Sequence, residues 1–488
     1  MTLREPTRKF EFGPLHLLLL LALLQLAVTL LTDGFSLSFD ESMWHYIGRN
    51  WFHHGLTPYT GGVDNKSPLI FALFGLSDKL FGVNYWFPRV VGTCCQCAGI
   101  FYVYKIAKHI AGKQAGMLAM LLYGLSLLWR ITNGKFVSVT QTYEITCIII
   151  AYYRMLAAVR GRDYFISGVF AGLGLAFRIS AIFGLGALFI STCRKGKTAA
   201  LQLIAGVLLS VAILAVLSMI SGINLREFVF YGFTDNFGPG SPTDYSFLWK
   251  LDHFSEKFFY SELVLFYPAV IAYILLVKKT DWLILWMIFE FAGINIVGMY
   301  DRSHLKDILP SFSLSAALAL AWLINKYNLS VKQITLVIWI CFFPKLIEPL
   351  VSFKKLFTVV HDNPDKLCQA PYPATDDYFK KQLGLWIKAN TPEQEKVLVA
   401  GIGAEIQVYS ERISPGIYFN ATRTNFAKAR FVSEIKAEKP GMIAIPLSFE
   451  YQRDTGLEIR EFLSALIRDE YYFDSCKYGY SIYRIKTR

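Results

Sequence analysis

Residues 14–31 read PLHLLLLLALLQLAVTLL, with no charged side chain, and this is close to the length of about 20 residues that crosses the hydrocarbon of a bilayer as a helix. A basic start (Arg4, Arg8, Lys9) precedes the stretch, as in a secretory signal. No small-residue cleavage site follows it, however, and many more apolar segments do, so it reads as a retained first helix. Residues 198–221 repeat the pattern. Across 488 residues the chain is 54% hydrophobic, 16% aromatic and only 18% charged, with a mean hydropathy of +0.38. That balance excludes an ordinary soluble globular protein and makes the bilayer the expected solvent. The net charge of +12 is scattered over short loops rather than gathered into a basic stripe with interleaved aromatics, so nucleic acid is not an expected partner.

Further apolar segments fall near 90–107, 115–129, 137–153, 164–177, 179–193, 198–220, 261–277, 281–299, 307–324 and 333–349, giving about eleven helices with boundaries good to a few residues. Cations fall in every second loop: Arg4/Arg8/Lys9, Lys105/Lys108/Lys113, Arg154/Arg160/Arg162, Arg194/Lys195/Lys197, Lys278/Lys279 and Lys326/Lys332. The positive-inside rule makes those loops and the N-terminus cytoplasmic. The loops 32–89, 221–260 and 300–306, with everything after about residue 350, then lie on the outer face. Segments 164–177 and 179–193 are short and read as a tight hairpin with Arg178 at its tip. No duplicated or inverted halves of the transporter kind are visible.

The first outer loop is patterned. Residues 39–52 place Trp44, Ile47 and Trp51 on one helical side, which suggests a helix in the headgroup layer. Residues 69–81 suggest a second, and GLTPYTGGVDNKSP between them has the content of a loop. After residue 350 the composition is that of a soluble domain. Helices are expected at 376–390, 425–438 and 457–468, strands at 396–400 and 442–446, and the aromatic C-terminus reads as strand. The expected architecture is therefore a polytopic α-helical membrane domain, 1–349, followed by an extracytoplasmic α/β domain, 350–488. Six cysteines (Cys94, Cys95, Cys97, Cys147, Cys193, Cys341) lie in apolar segments and read as small buried hydrophobes. Cys368 and Cys476 fall in the polar part, and the sequence leaves their pairing open.

Asp40 and Glu41 stand just beyond the first helix, near the membrane surface and open to a hydrophilic acceptor. A carboxylate fixed there suits a general base that deprotonates a hydroxyl as it attacks an anomeric carbon, with the second carboxylate orienting it or binding sugar. Helix capping is the structural alternative. Lys66, Arg89, Arg178, Arg302, His304 and Lys306 are all expected on the same side. Cations held there would stabilise the charge growing on a departing phosphate, although snorkelling to headgroups explains any one of them equally well. Glu144 lies inside the fourth helix on that side, suited to a sugar hydroxyl or a cation, and Glu290 lies mid-helix and reads as structural. His45, His53 and His54 have no spacing that demands a metal. No metal or other cofactor is assigned, with a divalent ion left open.

At these residues the chain resembles the superfamily of integral-membrane glycosyltransferases of GT-C type, which includes protein O-mannosyltransferases and lipid A aminoarabinose transferases. Four stretches carry the resemblance. DESMWHYIGRN (40–50) is similar to a D-E-x-x-Y-x-x-I-A-R pattern with the tyrosine, Tyr46, displaced. PYTGGVDNKSPLI (58–70) is similar to P-Y...D-x-K-P-P-L, with Ser67 for the first proline. FGVNYWFPRV (81–90) is similar to F-G-x-N-x-x-x-x-R, and RSHLKDILP (302–310) to H-Y-x-x-x-L-x-P with Leu305 for the tyrosine. The resemblance covers roughly 10–325, with its elements in order. It implies Asp40 as catalytic base, Lys66 and Arg89 near a carrier phosphate or supporting the loop, Tyr59 in the substrate-binding loop, and His304 near the site. It also implies a polyprenyl-phosphate-linked sugar as donor, a glycan, lipid or protein as acceptor, and the cytoplasmic (inner) membrane as location. A transporter or flippase of lipid-linked sugars, or a receptor using its outer domain, would share the outer cations, but the first needs paired broken helices that are missing here.

Overall fold

The computed structural model describes residues 13–31, 36–129, 137–235, 246–277, 281–298, 300, 302–342, 368, 377–419, 424–447 and 456–486. Arg4, Arg8, Lys9, Lys278 and Lys279, which support the charge reading, lie outside these residues, as do 343–349 and the side chain of Arg302. Helix α1 (Pro14–Leu31) leads into α2 (Phe39–His54) and α3 (Pro68–Phe81). The segments at 90–107 and 115–129 run as α4 (Trp86–Ser126), broken at Ala111 (φ −137°) and Gly112 (φ 85°). Glycine adopts that positive φ without a Cβ penalty, so two helices meet end to end there. α5 (Thr140–Leu156), α6 (Gly161–Phe177), α7 (Ala181–Cys193) and α8 (Lys197–Ile220) follow.

Small residues let these helices touch. A Cβ on Gly168 of α6 would stand 2.0 Å from the Leu203 carbonyl oxygen of α8, and one on Gly206 would stand 2.1 Å from that of Phe165. Such backbone contact is how helices gain packing energy where lipid removes the hydrophobic drive. The far side of α8 leaves Leu201, Leu208, Ile213, Leu217 and Ile220 at least half exposed, a surface suited to acyl chains rather than water.

The next part of the chain is less regular: α9 (Leu225–Val229), α10 (Phe247–Phe259), α11 (Tyr267–Ala272), α12 (Asp281–Val297), α13 (Leu309–Tyr327) and α14 (Val331–Phe342). The single helix expected at 261–277 is instead a 3-10 turn at Glu262–Leu265, then α11, then a π turn at Tyr273–Val277. Pro268 sits in the first turn of α11, where its missing N–H costs least and the preceding turn must end.

The C-terminal domain consists of α15 (Asp377–Asn390), β1 (Val397–Val399), α16 (Ala404–Ser410), α17 (Asn425–Ala437), β2 (Met442–Pro446), α18 (Leu457–Glu470), β3 (Tyr471–Lys477) and β4 (Tyr480–Ile485). Its sheet order is β1-β2-β4-β3. β1 and β2 are parallel, with Leu398 opposite Ile443, a pairing that requires a crossover, and α16 and α17 supply it. β4 pairs antiparallel to both β2 and β3. Cys368 and Cys476 are joined by a disulfide spanning 108 residues.

Helix α2 departs from its expected place. Trp44 and Ile47, expected in the headgroup layer, are fully buried. Trp44 stacks edge-on against Phe74 of α3 at 5.6 Å, and Tyr46 packs on Phe419 of the C-terminal domain at 4.2 Å. Gly48 of α2 and Gly75 of α3 meet backbone to backbone. The aromatic face that suggested lipid meets protein instead: α3 covers Trp44, and the C-terminal domain packs on the neighbouring Tyr46.

Candidate active site

The two adjacent carboxylates play different parts. Glu41 is fully buried and accepts from Arg89 Nε and Nη2 at 2.8 and 2.7 Å, from the backbone N–H of Ser38 at 2.8 Å, and from the hydroxyl of Ser138. Arg89, equally buried, also donates to the carbonyls of Thr29 and Ser36 at 3.3 and 3.0 Å. Burial alone would raise the Glu41 carboxyl, but the Arg89 guanidinium together with the hydrogen bonds from Ser138 and Ser38 outweighs it and holds the group below the usual range. Glu41 and Arg89 thus form a closed bidentate pair that ties the start of α2 to α1, α4 and the entry to α5. They support the loop, and neither presents a free face to a substrate. Asp40 occupies the second position of α2 and is half-buried, the more open of the two.

The loop carrying Lys66 is held from beneath. Tyr59 takes a left-handed conformation (φ 71°) and is buried. It donates its hydroxyl to the Lys66 carbonyl at 2.6 Å, Asn50 donates to the Gly61 carbonyl at 2.7 Å, and Trp44 Nε1 donates to Asp64 at 2.7 Å. Tyr59, expected among the substrate-binding residues, supports the loop here. The ammonium of Lys66 is partly exposed and donates to the side chain of Asn65.

The first turn of α5 extends this polar belt. Gln141 donates to Ser303 at 3.0 Å, Lys306 donates to Thr142 at 2.9 Å, and Glu144 accepts from Arg178 at 3.1 Å. Arg178 Nη1 also reaches Asp307 at 2.7 Å, so the α6–α7 tip is pinned to the turn before α13. Arg178, Ser180, Glu290, His304 and Asp307 line a small cavity. Two residues given no role from sequence therefore belong to the cluster. Asp307 was read as a helix start and Glu290 as structural, because nothing local shows that both approach Arg178. Glu144 Oε1, Asp307 Oδ1 and His304 Nδ1 are buried with no hydrogen-bond partner, atoms that a donor-bearing ligand or water would satisfy.

Two expected cations behave otherwise. Burial, reinforced by the charges of Arg178 and Lys66, pushes the His304 imidazole well below its usual range, which favours the uncharged ring. Burial also pushes the Lys306 ammonium down to about 7, partly offset by Asp307. The basic side chains of the belt are Lys66, Arg178 and Lys306. His45 and His53, expected on an interfacial face, instead bond Asp78 of α3 at 3.2 and 3.0 Å. Among the described residues, no three His, Cys, Asp or Glu side chains converge as a metal ion needs.

This arrangement, a bundle of spanning helices with a carboxylate-bearing first loop, is the GT-C fold of integral-membrane glycosyltransferases. Residues 65–221, which include Lys66, Arg89, Glu144 and Arg178, match the family model described as dolichyl-phosphate-mannose-protein mannosyltransferase. Among solved structures the chain is similar to ArnT from Cupriavidus metallidurans bound to undecaprenyl phosphate, with TM-score 0.62 and 14% identity over 96% of this chain and 97% of that one. It is also similar to the archaeal oligosaccharyltransferase AglB from Archaeoglobus fulgidus in complex with an inhibitory peptide and a dolichol-phosphate, with TM-score 0.51 and 12% identity over 88% and 69%. No curated protein matches it by sequence.

Proposed function

We propose that the chain transfers a sugar from a polyprenyl-phosphate carrier to a glycan, lipid or protein acceptor on the outer face of the membrane. Transfer is by direct, inverting displacement, with Asp40 as general base. The observation that carries this reading is the continuous polar belt from the head of α2 through the first turn of α5 to Arg178 and His304. The half-buried Asp40 carboxylate and the side chains of Lys66 and Arg178 along one end of an otherwise apolar bundle support this reading. Asp40 takes the proton of the acceptor hydroxyl as its oxygen attacks the anomeric carbon, while Lys66 and Arg178 stabilise the charge growing on the leaving phosphate. Glu41 and Arg89 hold Asp40 in register. The full-length likeness to a structure holding undecaprenyl phosphate supports the carrier class, and the matched family supports group transfer rather than transport.

The test is mass spectrometry of lipid-linked and envelope glycans from cells carrying wild-type protein, Asp40→Asn or a deletion. The expected result is a product lacking one sugar in both mutants, with its polyprenyl-phosphate donor accumulating. Turnover in Asp40→Asn should fall on the order of 100-fold or more, as when a positioned base is removed. An unchanged profile in Asp40→Asn beside a changed one in the deletion would refute the assignment and favour transport or binding.

A further inference from the structure

The start of α2 is locked to the membrane helices through Glu41, and its second half is gripped from the other side. Asp78 of α3 accepts from His45 at 3.2 Å, Arg49 at 2.9 Å and His53 at 3.0 Å, three successive turns of one helix face. The other end of the Arg49 fork, Nη2, reaches Glu411 of the C-terminal domain at 3.0 Å, and Lys388 holds the second carboxylate oxygen of Glu411 at 2.6 Å. Around this point the segment 409–419 bonds both flanks of the same loop. The Leu37 N–H donates to the Tyr409 hydroxyl at 3.0 Å, the Ser414 N–H to the Tyr46 hydroxyl at 2.8 Å, and the Val63 N–H to the Ile417 carbonyl at 3.1 Å.

The backbone at Glu411 sets it apart. It follows α16 in the left-handed region (φ 54°, ψ 26°), a helix-ending position where glycine is favoured and a side chain carries a steric penalty. Arg412 fixes the turn, donating from Nε to the Thr391 hydroxyl at 3.0 Å and from Nη2 to the Lys388 and Thr391 carbonyls at 2.9 and 2.8 Å. A glycine would end the helix at lower cost, so the glutamate is explained by what its side chain reaches.

We propose that Glu411 is a positioning residue: through Arg49 it lets the C-terminal domain fix the pitch of α2 and hence the aim of Asp40. The link to catalysis rests on the transferase reading above, while the mechanical link does not. The C-terminal domain is then a working part of the transferase, and an acceptor that moves segment 409–419 on binding would be felt at Asp40.

Glu411→Gly in the full-length chain relieves the backbone strain, so the fold should be kept while the clamp is lost; Glu411→Gln keeps the strain and the side-chain size but removes the charge. Hydrogen exchange of the purified protein should show the amides of α2 opening about tenfold faster in both variants, with α15–α18 and the melting midpoint unchanged. Cells carrying either variant should accumulate unconsumed polyprenyl-phosphate sugar. Unchanged exchange in α2 overturns the clamp, and so does faster exchange throughout the C-terminal domain with a lowered midpoint, which would make Glu411 merely structural. If α2 loosens and Asp40→Asn blocks the product while Glu411→Gly makes it at the wild-type rate, the positioning role fails. If α2 loosens but Asp40→Asn still makes product, the base assignment fails and the clamp stands.

Discussion

Asp40 and Glu41 are adjacent and chemically alike, yet Glu41 is fully enclosed and Asp40 half-buried, and the helix phase decides which is which. Glu41 is the third residue of α2, so its carboxylate returns to the Ser38 N–H, and the same rotation carries it onto Arg89, 48 positions away. The contact with Ser38 is local, a capping arrangement three residues apart; Arg89 as partner was not legible, because nothing local specifies a contact so distant in sequence. For the same reason the downward shift of the His304 imidazole was hidden, since it follows from burial and from the charges of Arg178 and Lys66. Glu41→Gln would leave the Arg89 guanidinium buried without its counter-charge, a cost of about 3–5 kcal/mol, enough to lower the melting midpoint and the folded yield sharply. Arg89→Lys should also destabilise, because an ammonium cannot reproduce the two-pronged contact. The pH dependence follows from the sign of the shift. A carboxylate held below its ordinary 4.5 stabilises the fold at every pH above that value, and the contribution fades as pH falls through the lower, folded value. Thermal unfolding of the wild type should therefore owe no loss to Glu41 between pH 7 and about 5, and a Glu41-dependent decline, absent in Glu41→Gln, should begin only below its ordinary range.

Among the elements, α1 and α8 were legible almost to the residue, because about 20 consecutive uncharged residues have few other uses. The hairpin with Arg178 at its tip also emerged from length alone. Less legible was α2, whose amphipathic face reads the same whether lipid or protein covers it. Periodicity shows that a face is apolar, and only the rest of the fold shows what meets it. The break at Pro268 was visible as a residue but was outweighed by the hydrophobic run around it. Helix contacts made through glycine give the sharpest prediction at this scale. With Gly168 set against Leu203 and Gly206 against Phe165, neither side can yield without moving backbone. Gly168→Ala or Gly206→Ala should push α6 and α8 apart and cost about 1–3 kcal/mol, the range for overpacking, even though alanine favours helix. Gly161→Ala lies in the same helix, where a Cβ meets only the Gln202 side chain at 3.7 Å, and should be neutral in the same detergent melt. Equal midpoints for the three variants would refute the contact.

At the scale of the molecule, the two domains differ in what holds them. The membrane domain relies on lipid and helix contact, whereas the C-terminal domain has a small four-stranded sheet and a disulfide. The helices and strands expected at 376–390, 396–400, 425–438, 442–446 and 457–468 correspond to α15, β1, α17, β2 and α18, whereas α16 was not expected. The domain's place over α2 was not legible, because the bonds from Tyr409, Glu411, Ser414 and Ile417 to the first loop join residues more than 350 positions apart. The disulfide closes a long loop around most of the domain, 108 residues between its ends. In the chain-entropy account, closing an unfolded loop of that length is worth about 4–5 kcal/mol. Reduction, or Cys476→Ser, should therefore lower the unfolding transition of the C-terminal domain while leaving that of the helical bundle in place, a split that tryptophan fluorescence and domain-resolved hydrogen exchange would both register. Because segment 409–419 lies within that loop and also bonds α2, partial unfolding there should release α2. Sugar transfer should then be lost at temperatures where the spanning helices are still folded. A reduced protein whose activity is lost only when the bundle melts would refute this coupling between the C-terminal domain and α2.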